Sequence, residues 1–111
     1  MKIFIHTIVL IICLSLEIHS QRSVMLVGGG QENYYDWSDE PYGWFVQQAD
    51  SGKIINIDVS SVSSWYPDYF KWLGAATTSH GLQIATRNVA NDSVTYNELI
   101  SALGIFIEGG D

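Results

Sequence analysis

A short apolar run near the start of this chain, Ser23–Val27, lacks polar alternation and leads directly into Gly28–Gly30. A strand with one covered face alternates apolar and polar residues, so an uninterrupted run of this kind indicates a strand buried on both faces. The β-branched run Lys53–Val59, which is followed by serines, indicates a second buried strand. We therefore predict four strands. The two others are a weaker strand at Thr77–Ala85, with a bulge or bend at Ser79–Gly81, and a strand at Gly104–Ile107.

Helical patterns occupy the intervals between these strands. Ser38 is a candidate N-cap, because the acids and proline of Asp39–Pro41 are favoured in a first turn, and Ser51-Gly52 ends that helix. A second helix is predicted over Trp65–Leu73, and a third begins at Asn91. Strands that alternate with helices over short connections imply right-handed crossovers. The sequence predicts an α/β fold with a mostly parallel sheet and helices on both faces.

The N-terminus has the layout of a signal peptide. Lys2 precedes an apolar run from Ile3 to Leu16, and a short polar stretch ends at the small residue Ser20. The run falls short of the ~20 residues that span a bilayer, so cleavage after Ser20 is favoured over an uncleaved anchor helix. We expect residues 1–20 to be removed and residues 21–111 to be secreted, with no membrane association after cleavage.

The acidic charge balance excludes one class of partner. The formal net charge is −7 at pH 7, and only four basic residues follow the signal peptide: Arg22, Lys53, Lys71 and Arg87. Nucleic-acid binding needs lysine and arginine clustered on one face. We therefore expect no nucleic-acid partner.

Cysteine and histidine are too scarce to form a metal centre or a disulfide. Cys13 lies within the apolar run of the signal peptide, and His80 is the single histidine beyond it. Only scattered carboxylates remain as metal ligands, so no metal and no cofactor is predicted. A solvated turn histidine is a simpler interpretation of His80 than a catalytic base.

Two glycine clusters follow predicted strands. Gly28–Gly30 follows the first strand and Gly109-Gly110 follows the last, so both lie where the carboxyl ends of parallel strands bind ligands. Glycine there allows backbone N–H groups to approach a phosphate or an oxyanion, although glycine also ends strands for structural reasons alone. A dinucleotide fingerprint is not matched, because Gln31–Asn33 follows the first cluster and the helix starts later.

An aromatic, acidic loop follows the first glycine cluster. Residues 31–44 hold five aromatic and four acidic side chains. Such a surface suits cationic or amide-rich ligands through stacking and cation–π contacts. In the alternative interpretation, these aromatics cover the sheet edge and pack on further structure. The candidate substrate-contacting residues are Gly29, Gly30, Tyr34, Tyr35 and Trp37.

Three segments together resemble the cyanophycinase-like proteins. They are Ser-Val-Met-Leu-Val-Gly-Gly-Gly at 23–30, Asn-Asp-Ser at 91–93 and Ile-Phe-Ile-Glu-Gly-Gly-Asp at 105–111. That family is similar to dipeptidase E and, in fold, to class I glutamine amidotransferases, so the resemblance implies a flavodoxin-like sheet and a serine nucleophile. It also implies that Gly109, Gly110 and Asp111 supply oxyanion-hole donors. The family's Gly-x-Ser-x-Gly motif and histidine are not found up to Asp111.

The serines of this chain do not replace that motif. A nucleophile elbow places its serine between small residues at a strand-to-helix turn, whereas Ser60–Ser64 reads as a loop that leads into a helix cap. The Asn91–Ser93 triplet matches a glycosylation sequon, but Asn91 is interpreted as a helix cap.

These observations lead to two functional expectations. The first is the N-terminal portion of a single hydrolase-like domain, incomplete at its C-terminus, from a secreted serine-type peptidase that cleaves peptide or isopeptide bonds. As printed, residues 21–111 would be inactive, and the open sheet edge would seek a partner or form a homodimer. The second is a non-catalytic secreted binding module that uses the loop at 31–44. A glutamine-amidotransferase-like domain is a third possibility, which export disfavours.

Overall fold

A computed structural model of the protein describes residues 22–109. The signal peptide predicted at 1–20, and Gly110 and Asp111, lie outside the described residues. The fold is a small α/β arrangement in which three strands form one sheet. The elements in chain order are α1 (Asp39–Gln48), β1 (Ile54–Asp58), α2 (Trp65–Trp72), β2 (His80–Gln83), α3 (Arg87–Ala90), α4 (Ser93–Ile100) and β3 (Gly104–Ile107).

The sheet has the order β2-β1-β3, and both of its pairings are parallel. Ile55 pairs with His80 on one side of β1, and Ile54 pairs with Gly104 on the other. The β-branched run of β1 therefore forms the central strand, where both of its backbone edges are bonded. The predicted parallel α/β sheet is confirmed for the described part of the chain.

The first predicted strand is not formed. Residues Ser23–Val27 carry no strand assignment, and Val24 and Leu26 are 81% and 92% exposed. Met25 alone packs against the core. An apolar run becomes a strand only when its backbone groups pair with a neighbouring strand, and the described sheet gives this segment no such pairing. The prediction of a buried strand here is wrong for this structure.

Helix α1 begins where its sequence pattern predicts, but Ser38 does not cap it. Ser38 occupies the N-cap position without a side-chain bond to the helix. Its hydroxyl is fully buried and lies 2.9 Å from the Tyr69 hydroxyl instead. After the helix, Asp50 and Ser51 both have φ of +52°, a left-handed conformation that reverses the chain before Gly52.

Glycine ends helix α2. Gly74 has φ of +109°, which L-residues rarely adopt, and its N–H donates to the Lys71 carbonyl. The helix packs with α1 on one face of the sheet, and their buried side chains form the core. That core is aromatic: Tyr42, Tyr69 and Phe70 are fully buried, and Phe106 of β3 packs against them.

Two predictions in the second half of the chain are corrected. Ser79–Gly81 was predicted to form a bulge or bend, but His80 and Gly81 lie in β2 and pair in regular register with β1. Asn91 does not begin a helix: it is the C-cap of the short α3, and Asp92 precedes α4. The Thr86 hydroxyl accepts the Val89 N–H and caps α3 instead.

The opposite face of the sheet is covered unevenly. At the amino end of β1, Glu98 of α4 accepts a bond from Lys53 at 2.8 Å and lies 3.4 Å from His80. Along β3, Ile105 and Ile107 remain 45% and 69% exposed. Among residues 22–109, no helix has the length and apolar character needed to cross a membrane.

Candidate functional site

Gly28–Gly30 and Gly109 line one groove, which runs along strand β3 to its carboxyl end. The groove has a volume of about 660 Å³ and runs between the segment at 23–30 and strand β3. Gly28–Gly30 lines one side and Gly109 lines the other, together with Tyr66 and Glu108. Within the described residues, Gly28–Gly30 and Gly109 thus line one groove, although Gly28–Gly30 does not end a strand of the sheet. Gly110 and Asp111, the other oxyanion-hole candidates, lie outside them.

The glycines of the first cluster differ in how crowded they are. A Cβ at Gly30 would lie 3.1 Å from the Trp37 ring, whereas a Cβ at Gly28 or Gly29 would meet nothing within 4 Å. Steric crowding thus accounts for glycine only at position 30. A Cβ at position 28 or 29 would lie in open space, and both glycines line the groove.

Glu32 anchors one wall of the groove through two tyrosines. Its two carboxylate oxygens accept hydrogen bonds from the Tyr42 hydroxyl at 2.9 Å and the Tyr66 hydroxyl at 3.1 Å. Burial and these contacts with Glu32 raise the pKa of Tyr66 to about 12 and raise the pKa of Tyr42 well above its usual range. Both hydroxyls therefore stay protonated and act as donors.

A pair of carboxyl groups lies at the ends of β1 and β3. The side chains of Asp58 and Glu108 share a hydrogen bond, and Asn56 Nδ2 lies 3.2 Å from Glu108 Oε1. The bond to Glu108, with the backbone N–H of Ser60, lowers the pKa of Asp58 to about 2. Burial and the bond to Asp58 raise the pKa of Glu108. The two pKa values are therefore shifted in opposite directions, Asp58 toward its charged form and Glu108 toward its neutral form.

The buried amide of Asn56 is only partly satisfied. Asn56 is 1% exposed, and its Oδ1 has no hydrogen-bond partner in the described part of the chain. An unsatisfied buried acceptor costs about 1–3 kcal/mol. This part of the sheet therefore contains a buried acceptor, Asn56 Oδ1, for which the described residues provide no donor.

These acidic side chains are not paired with bases. In residues 22–109, the ion pairs join Lys53 to Glu98 and Lys71 to Asp68, both away from the groove. The same residues contain no group of three His, Cys, Asp or Glu side chains arranged to hold a metal ion. Glu32 and Glu108 instead accept hydrogen bonds from tyrosine and asparagine side chains.

Tyr34 and Tyr35 of the aromatic loop pack on helix α2, whereas Glu32 and Tyr42 line the groove. The Tyr34 ring makes edge contacts with Trp65, Tyr69 and Trp72, with centroids 5.2 to 5.9 Å apart. Tyr35 has φ of +63°, is 85% exposed and rests edge-on against Trp72. Of the five predicted substrate-contacting residues, only Gly29 and Gly30 line the groove.

Nucleophile and base are not assembled at the groove. Ser23 is the serine that lines it among the described residues, and its hydroxyl donates to Gln48 Oε1 at 2.7 Å. His80 starts strand β2, at the amino end of the sheet and therefore at the edge opposite the glycines. Activation of a hydroxyl needs an adjacent base, so this groove can bind a ligand but has no such pair.

Asp58, Glu108 and Tyr66 were missed by the sequence analysis. Asp58 is the last residue of β1, and Glu108 directly follows β3. Because the carboxyl ends of parallel strands meet at one edge, acids in those two positions could have been expected to lie together. No sequence pattern identifies Tyr66 as a residue of the groove, because its position there depends on how α2 packs.

Comparison of the chain with protein-family models, with curated proteins and with solved structures finds no match.

Proposed function

We propose that this chain is part of a secreted, cyanophycinase-like serine-type peptidase with a flavodoxin-like sheet. In this proposal the groove between the two glycine clusters binds the scissile peptide or isopeptide bond, and the nucleophile and base come from residues beyond the printed sequence. The supporting observation is that Gly28–Gly30 and Gly109 line one groove, which runs along β3 of a parallel sheet to its carboxyl end.

The glycines have a defined role in this proposal. Acyl transfer passes through a tetrahedral intermediate whose oxyanion needs preorganised N–H donors, each worth about 3 kcal/mol. Gly109 lies in the groove, and Gly110 and Asp111 follow it in the sequence.

A test of this proposal starts from the transcript. The reading frame after the Asp111 codon is expected to encode a glutamine and then a strand that ends in Gly-x-Ser-x-Gly. The extended product should react with a fluorophosphonate probe that labels activated serines, and replacement of that serine by alanine should abolish labelling. The product of residues 21–111 serves as the matched unlabelled control. A stop codon after Asp111, or an unlabelled extended product, would reject the peptidase.

A binding module is the second candidate, and Tyr35 supports it. A non-glycine residue with positive φ costs about 1 kcal/mol or more, and here that conformation presents an exposed ring beside Trp72. Titration of the chain with an arginine-rich peptide should change tryptophan fluorescence, and Tyr35→Ala should weaken binding about tenfold or more. Tyr96→Ala, which removes an exposed aromatic ring from α4, is the control. Equal loss in both variants would reject a site at the loop.

A further inference from the structure

The connection between helices α3 and α4 carries a modification motif. Asn91, Asp92 and Ser93 form an Asn-x-Ser triplet whose middle residue is not proline, which is the acceptor sequence for N-linked sugars in exported proteins. The competing interpretation of Asn91 as the cap that starts a helix is removed by the structure. Thr86 caps α3, and Asp92 occupies the N-cap position of α4, so Asn91 begins neither helix.

The backbone of the triplet forms a short connection between two helices. Helix α3 ends at Ala90 and α4 starts at Ser93. Between them, Asp92 has extended backbone with φ of −75° and ψ of 141°, and its side chain makes no capping bond to α4. An acceptor asparagine is expected on a surface connection of this kind rather than within a strand or a long helix.

The surroundings of Asn91 have room for a bulky group. Every residue from 85 to 94 is exposed. An N-linked oligosaccharide is large and hydrated, so the folded chain accommodates it only where the asparagine lies at the surface. Among the asparagines of the printed sequence, Asn91 alone has serine or threonine two positions later. Asn88 is also exposed but is followed there by Ala90, and Asn56 is buried.

We propose that Asn91 is a site of N-linked glycosylation in the exported protein. In the transfer, Asn91 Nδ2 attacks C1 of an oligosaccharide that is carried on a polyprenyl diphosphate. A bond from Nδ2 to C1 forms, the bond from C1 to the diphosphate oxygen breaks, the diphosphate leaves, and the amide gives up one proton. The transferring enzyme recognises the Ser93 hydroxyl together with the amide. The proposal rests on the export predicted from residues 1–20 and not on peptidase activity.

The attachment point is separate from the candidate functional site. The groove is lined by residues 23–30, by β3 and by side chains of α1 and α2, whereas none of residues 84–100 contributes to it. An oligosaccharide on Asn91 is therefore attached outside the groove. It adds a hydrophilic group within three residues of Val89 and Val94, whose apolar side chains are exposed.

Cell-free translation of the full chain in the presence of endoplasmic-reticulum microsomes tests this site. The imported product, identified by its protection from added protease, should migrate more slowly on a gel than the same product treated with peptide N-glycosidase. That treatment converts the glycosylated asparagine to aspartate, and peptide mass spectrometry should locate the conversion at Asn91. Asn91→Gln and Ser93→Ala should each abolish the shift, whereas Ser93→Thr, which keeps the hydroxyl, should retain it.

Asn88→Gln is the matched control, because it removes an exposed amide three residues earlier that has no hydroxyl two positions later. Its shift should equal that of the unsubstituted chain. A protected product without a shift overturns the proposal, and so does a shift that survives Asn91→Gln. An unprotected product also overturns it, since a chain that is not imported never meets the transferring enzyme. Only that last outcome counts against the secreted peptidase as well.

Discussion

The two faces of the sheet differ in how completely they are covered. Under α1 and α2, Tyr42, Tyr69 and Phe70 are fully buried, and the rings of Tyr42 and Phe70 make edge contacts with Phe106. On the opposite face, Ile107 of the same strand is 69% exposed. Consecutive residues of β3 thus lie in opposite environments, which shows that the stability of the described chain comes from one face while the other is available for contacts.

The largest expected effect compares a side chain from each face. Phe70→Ala should lower the free energy of unfolding by about 3–5 kcal/mol, because it removes a buried ring and leaves a cavity. Ile107→Ala should change it by about 0.5 kcal/mol or less, since an exposed side chain loses little. Urea denaturation of both variants measures the difference. A loss near 2 kcal/mol for Ile107→Ala would mean that this face is covered in solution.

A smaller effect should come from a polar link within the covered face. The Tyr69 hydroxyl donates to Asp39 Oδ1 at 2.6 Å and lies 2.9 Å from the buried Ser38 hydroxyl. Tyr69→Phe leaves the ring packing intact but removes both bonds, so the free energy of unfolding should fall by about 1–2 kcal/mol. Tyr96→Phe, on an exposed ring, should have no measurable effect in the same titration. Equal changes would show that the buried network contributes nothing.

The carboxyl pair at the sheet edge should give stability a maximum in mild acid. Asp58 has its pKa lowered from 3.8, so its contribution is present above that value and is lost as the pH falls toward about 2. Glu108 has its pKa raised from 4.5, so its contribution is present below 4.5 and is lost as the pH rises through the folded value. Stability from this pair should therefore peak near about pH 4.

Substitution of Glu108 separates the acidic side from the alkaline side of this dependence of stability on pH. Glu108→Gln should remove the decline on the alkaline side, and Tm between pH 5 and 7 should flatten by a few degrees. Glu32, Asn56 and Tyr66 also face Glu108, so Glu32→Gln is the control for general charge removal. A profile unchanged by Glu108→Gln would exclude a raised pKa of Glu108 as its cause.

The smallest expected effect is an increase in stability. Gly43 lies inside α1, and a Cβ there would meet nothing within 4 Å, so Gly43→Ala should stabilise the fold by about 0.5–1 kcal/mol. Gly104→Ala is the contrasting variant, because its Cβ would lie 2.9 Å from the Ala49 Cβ where α1 meets β3. The Tm of thermal unfolding should rise for Gly43→Ala and fall for Gly104→Ala. A matching shift would mean that α1 is not packed on β3 as described.

The sequence predicts those elements best whose signals are local. The β-branched run of β1 and the short run at 104–107 were both correctly predicted as strands. Their composition indicates a strand whether the strand lies at the centre or at the edge of the sheet. The run at Ser23–Val27 has the same composition, yet pairing with a neighbour decides whether it becomes a strand. Ser38 likewise has the right residue type for a cap, but the buried Tyr69 hydroxyl competes for its side chain.

The candidate site could be predicted only in part. Gly28–Gly30 and Gly109 were expected at one edge of the sheet because both follow predicted strands, yet the strand before Gly28 is not formed and the groove they line runs along β3. Glu32 could not be placed, since its role depends on tyrosines from two helices, Tyr42 and Tyr66. Tyr34 and Tyr35 were placed with the glycines because they are near in sequence, but the loop carries them onto α2 instead.

The parallel sheet has a consequence for the kinetics of folding. Its pairings join residues that are 25 or 50 positions apart, as with Ile55 and His80 or Ile54 and Gly104, and the described sheet contains no hairpin. Such a high contact order requires large loops to close before any strand pairing contributes stability. We expect helices α1 and α2 to form transiently long before β1 acquires either neighbour, so the chain folds slowly for its length and unpaired strand edges stay exposed to other molecules during that interval.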